Sequence, residues 1–130
     1  MTGIALLYGP DRLIADLDAS GYHEVAKAEA GGNTYVVIKN YTVMLGRFDG
    51  RLIDLGILVP PDYPRTMSSA VHVRANPQLL EKDQTVPNVR NITDSPLGTE
   101  WRYWSKNFSW TEERTTRRLL TQINEIFLNA

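Results

Sequence analysis

Between residues 52 and 59 the apolar side chains fall on every second position: Ile53, Leu55, Ile57 and Val59, with Asp54 and Gly56 between them. A period of two puts these four on one face of a β-strand. Pro60, Pro61 and Pro64 follow at once. Proline has no N–H to give to a sheet ladder, so the strand must end there in a turn. A strand that is apolar on one face needs both partner strands and a cover for that face.

The flanking segments supply both. Residues 22–28 read as a first strand. Residues 34–38 read as a second, being rich in β-branched and aromatic side chains, with residues 41–45 extending it or bending it at Asn40. Gly31-Gly32-Asn33 marks the turn between these strands, residues 46–50 mark a hairpin loop, and residues 70–73 form a fourth strand. Pro10 and Asp11 open a short helix over residues 10–20. Leu13, Ile14 and Leu17 share one face of it, and Gly21 stops it.

At the other end, Leu119, Leu120, Ile123, Ile126 and Phe127 make an apolar helical stripe. Ser109 and Glu112 form a capping box ahead of a helix over residues 111–128. Residues 76–98 are expected to be irregular, punctuated by Pro77, Pro87 and Pro96. The expectation is one α+β domain over residues 1–130. It is a four-stranded antiparallel meander with an N-terminal and a C-terminal helix.

The 130 residues contain no cysteine, which removes disulfides, thiolate metal sites and any cysteine nucleophile. His23 and His72 are far apart, and no set of acidic residues follows a calcium-loop spacing, so no metal is expected. Gly31-Gly32 lacks the residues of a phosphate-binding loop, so no cofactor is expected either. No apolar run is long enough for a membrane span, and the first residues lack the pattern of a secretion signal. A cytoplasmic protein without a membrane partner is the expectation. Residues 101–118 carry five basic against two acidic side chains among aromatics, a composition that can bind nucleic acid. The net charge of −1 argues against that partner.

Two stretches remain. One is the turn Pro60-Pro61-Asp62-Tyr63-Pro64. The other holds Gly98, Trp101, Trp104 and Ser105 and runs on to Trp110 and the last helix. In this order they resemble the ubiquitin-conjugating E2 (UBC) superfamily, and more narrowly prokaryotic E2 family E. The resemblance covers residues 11–128. It implies a UBC-like fold in a bacterial ubiquitin-like modification system. Its partners would be a ubiquitin-like protein, a ThiF-like E1 activating enzyme and a JAB-type metallopeptidase.

A standard E2 carries its cargo as a cysteine thioester, and this chain has no thiol. Val86-Pro87-Asn88 is its nearest match to the His-Pro-Asn of eukaryotic E2 proteins. Asn107 stands where family relatives carry a histidine after the serine. These departures point to a non-catalytic, E2-like binding protein, with Tyr63, Pro64, Trp101, Trp104 and Trp110 as candidate binding residues.

The enzymatic alternative is an ester formed on Ser105. It needs a nearby base, for which His72 is the candidate, with Asn88 as the amide donor to an oxyanion and Asn107 as a further candidate. A third alternative is an unrelated protein-binding or nucleic-acid-binding module.

Overall fold

The computed structural model of the protein describes residues 7–68, 70–82, 84, 89 and 91–130. Among these described residues are two helices, α1 (Pro10–Ala19) and α2 (Thr116–Asn129), and six strands. The six strands are β1 (Val25–Ala30), β2 (Asn33–Thr42), β3 (Leu52–Leu58), β4 (Val71–Arg74), β5 (Ile92–Ser95) and β6 (Gly98–Trp104). They form one sheet in the order β1-β2-β3-β4-β6-β5, antiparallel at every step. The architecture is α+β, as expected, but the four-stranded meander is extended by a β5–β6 hairpin. β5 has only Ile92 as a large apolar residue, and it lies in the segment read as irregular.

Local chemistry explains most boundaries. Pro10 begins α1 where its missing N–H costs nothing. The helix ends in a Schellman arrangement: Tyr22 N–H donates to Leu17 O at 2.9 Å, Gly21 N–H donates to Asp18 O at 3.1 Å, and Gly21 has φ 98. Gly31 and Gly32, at φ 57 and 81, make the two-residue turn between β1 and β2.

In β2 the register with β3 shifts between Ile38 and Tyr41, so β2 carries one extra residue. Asn40 bends there at φ 54, and its N–H donates to Asp54 Oδ1 at 3.2 Å. The bulge keeps both Ile38 and Tyr41 on the buried face, where Tyr41 Oη donates to Asn124 Oδ1 of α2 at 2.8 Å.

Helix α2 starts later than the sequence pattern suggests. Its cap is Thr115, whose Oγ1 accepts the Arg118 N–H, rather than Ser109. Ser109 is held elsewhere: its N–H donates to Gln122 Oε1 at 2.8 Å, and its carbonyl accepts from Gln122 Nε2 at 2.9 Å. A clasp of both backbone groups by a helix side chain keeps residue 109 outside the helix.

The core lies between one face of the sheet and the helices. Leu13 and Leu17 of α1 pack with Leu119, Ile123, Ile126 and Phe127 of α2. The sheet contributes Val36, Ile38, Leu55, Ile57, Val71, Val73 and Trp104. The alternating residues Ile53, Leu55, Ile57 and Val59 are all buried.

Candidate functional site

The proline-rich turn and the tryptophan before α2 come together. Trp110 Nε1 donates to Pro64 O at 2.7 Å, and its ring lies 5.9 Å from that of Tyr63. Tyr63 is wholly buried, and its hydroxyl meets Thr116 Oγ1 at 2.6 Å. Thr116 in turn donates to Asp16 Oδ2 at 2.7 Å, and Asp16 is held by Arg12. One polar chain thus fastens the turn to the first residue of α2 and to α1. Burial pushes the Tyr63 phenol up to about 12, so it stays a donor at neutral pH. Gly9 completes this corner: its N–H donates to Tyr63 O, and a Cβ there would sit 2.9 Å from Pro61 O.

On the sheet face away from the helices, His72 sits opposite Gly56 on β3 and Tyr103 on β6. The turn Pro96-Leu97 folds the β5–β6 hairpin back over it. A Cβ on Gly56 would lie 2.7 Å from Leu97 Cδ1, so the leucine side chain rests directly over this glycine. His72 is packed edge-on against the rings of Tyr35 and Tyr103. Its Nδ1 meets Ser95 Oγ at 2.7 Å, and Ser95 Oγ accepts the Leu97 N–H at 3.1 Å. Burial lowers the His72 pKa to about 4, leaving a neutral imidazole at physiological pH.

An open cleft of about 720 Å³ lies on another part of the sheet. It lies where β4 gives way to residues 75–78, and β3 and β6 supply its other walls. Its frame is the Asp54–Arg74 pair, directly opposed across β3 and β4. Arg74 Nε and Nη2 both donate to Asp54 Oδ2, at 2.9 and 2.6 Å, while the guanidinium stacks 5.0 Å from the centre of the Trp101 ring. Arg102 Nε donates to Glu81 Oε1 at 2.9 Å, and Gln78 Nε2 donates to Glu100 O at 2.6 Å. Gln78 Oε1 is buried without a partner among the described residues. Three carboxylates, Asp54, Glu81 and Glu100, and two guanidiniums, Arg74 and Arg102, line this cleft.

The sequence-predicted residues separate into groups. Tyr63 and Trp104 have no exposed surface and Trp101 has 5%, so these three work inside the protein. Pro64 and Trp110 are half-buried and reach the surface. Ser105 follows β6 and donates its N–H to Asn91 O at 3.0 Å; the hydrogen bond of His72 goes to Ser95 instead. Asn107 is exposed, and Asn88 lies outside the described residues. Arg102, counted among the basic residues of 101–118, is turned to Glu81, and Arg117 lies 3.8 Å from Glu113.

Ser95, Asp54, Arg74 and Gln78 were missed. Asp54 carried a signal, a carboxylate set into an otherwise apolar alternation. Ser95 carried little, because only the hairpin brings it to His72. Among the described residues no group of His, Cys, Asp or Glu could hold a metal ion, and no helix is long and apolar enough to cross a membrane.

Neither a curated protein nor a solved structure gives a match to this chain. A family does, and it matches nearly all of the described fold, from within α1 to near the end of α2. Over residues 14–127 the chain matches prokaryotic E2 family E, and it belongs to that family.

Proposed function

We propose that this protein is an E2-like component of a bacterial ubiquitin-like conjugation or processing system. In this reading it acts without covalent catalysis, by binding a ubiquitin-like protein or a ThiF-like E1 enzyme. The observation that carries the reading is membership of an E2 family by a chain with no cysteine. The thioester step has no thiol to occur on, whereas the surfaces of the fold remain.

The placement of His72 supports the non-catalytic form. A serine hydroxyl is a poor nucleophile without a base within hydrogen-bond reach. The imidazole that Ser105 would need is engaged with Ser95 under the β5–β6 hairpin. The cleft framed by Asp54 and Arg74 opens at the end of β4, and it is the place we assign to an extended tail of the partner protein.

The test is a charging reaction containing this protein, an E1-like enzyme and ubiquitin-like protein from the same system, and ATP, read by intact mass. The expected result is no covalent adduct on this chain and a stable complex on a sizing column. An adduct that survives thiol reductant but yields to hydroxylamine would overturn the non-catalytic reading. Ser105→Ala would then show whether that serine carries it.

A further inference from the structure

Strand β1 is an open edge of the sheet, with one strand neighbour among the described residues. Its backbone polarity can be assigned. Glu24 O accepts the Lys39 N–H at 2.8 Å, and the register pairs Val25 with Ile38 through to Ala30 with Asn33. Hydrogen-bonded and non-hydrogen-bonded pairs alternate in an antiparallel ladder. Residues 24, 26, 28 and 30 therefore bond toward β2, and Val25, Lys27 and Glu29 turn their N–H and C=O groups to the open side. The glycine turn closing on the Ala30–Asn33 pair agrees with this phase.

The side chains along this edge are small or charged. Ala26, Ala28 and Ala30 lie on the sheet face away from the helices, so nothing bulky blocks an approaching strand there. Lys27 and Glu29 lie on the helix-side face, and both are exposed. Lys27 Nζ is 2.6 Å from Asp11 Oδ1, a pair at which both side chains are about half exposed or more, so its worth is small.

We propose that β1 is a self-association edge, pairing antiparallel with β1 of a second copy of this chain about a two-fold axis at Ala28. Charge, together with the length of strand paired, selects this register from those the backbone allows: centring on Val25 or Ala26 opposes no like charges but pairs three strand residues of each copy or fewer. Only Val25, Lys27 and Glu29 can enter hydrogen-bonded pairs across the axis. Centring on residue 27 sets Lys27 against Lys27, and centring on residue 29 sets Glu29 against Glu29; like charges directly opposed are unfavourable. Centring on Ala28 sets Lys27 of each copy against Glu29 of the other. The arrangement is isologous, so the favourable pair occurs twice. It also places Ala28 against Ala28 and Ala26 against Ala30.

A lysine on an edge strand ordinarily discourages further pairing. Here a glutamate two residues away removes that protection for this one register. The other edge is unlike it. β5 has four residues and a register irregularity, and its Asp94 is engaged by Lys82 at 3.1 Å.

The experiment is sedimentation equilibrium on the full chain from micromolar to millimolar concentration, on the wild type, Lys27→Glu, Glu29→Lys and the double swap. The expected result is a reversible species of twice the chain mass. Either single reversal should weaken it about tenfold or more, since each acts at two opposed pairs. The double swap should restore it, because it rebuilds opposite charges in the same register. Glu29→Lys leaves the Lys27–Asp11 contact in place, which separates pairing from any local effect on α1. Lys27, Glu29 and Asp11 are exposed, Glu29 also accepts from the half-buried Thr34 hydroxyl at 2.8 Å, and matched circular dichroism melts would verify folding. A monomer throughout, a dimer indifferent to the single reversals, or a double swap that does not recover would each overturn the proposal.

Discussion

His72 shows how one buried side chain ties folding to pH. It stands among Tyr35, Tyr103 and Ser95, and desolvation lowers its pKa from 6.5 to about 4. The unfolded chain therefore binds a proton between these values that the folded chain refuses. The contribution is fully present above about pH 6.5 and is lost as pH falls toward 4, on the order of 3 kcal/mol in all. Urea midpoints measured across that window should fall in the wild type, with a shallower slope in His72→Gln. Gly46 offers a second test at this scale. It has φ +81, and a Cβ would stand 2.5 Å from Phe127 O at the end of α2. Both the backbone conformation and the space exclude a side chain. Gly46→Ala should cost about 1–3 kcal/mol by denaturant unfolding.

Among the elements, the junction of the proline-rich turn with α1 and α2 has the most specific chemistry. Tyr63→Phe removes one buried hydrogen bond and should cost about 1–2 kcal/mol. Combined with Asp16→Asn, it should cost measurably less or more than the sum, because both residues act through Thr116. Much at this scale could be read from sequence. The helix stop at Gly21, the glycine turn, the alternating strand β3 and its proline terminus are local, and local chemistry fixes them. The start of α2 was not readable. Ser109 and Glu112 match a capping box, but the Gln122 side chain takes both backbone groups of Ser109. β5 was hidden for a similar reason, since its four residues become a strand by pairing with β6.

At the scale of the molecule, the sequence indicated the family and the layout of one sheet against two helices. The same reading grouped Tyr63, Trp101 and Trp104 with Pro64 and Trp110 as binding residues. Burial divides them, because the alternation along β6 and the closure of the turn were not set by composition. The site also depends on strand neighbours: Asp54 meets Arg74 only because β3 and β4 pair in the observed register. Arg74→Ala would leave the Asp54 carboxylate without its guanidinium. Under the function proposed above, titration calorimetry should show weaker binding of the ubiquitin-like protein or E1-like enzyme, while a thermal melt of the same variant moves little.

The helices cover one face of the sheet, whereas the middle of the other is sheltered by the β5–β6 hairpin. The turn at Pro96-Leu97 stands at the margin of this shelter and can open while Ile92 and Trp104 stay in the packed layer beneath α1 and α2. Amide hydrogens around this turn should then exchange with solvent at a lower opening free energy than those of β2 and β3. The turn would be a door to the imidazole behind it, and acid would reach that ring by waiting for the door rather than for the whole house to fall.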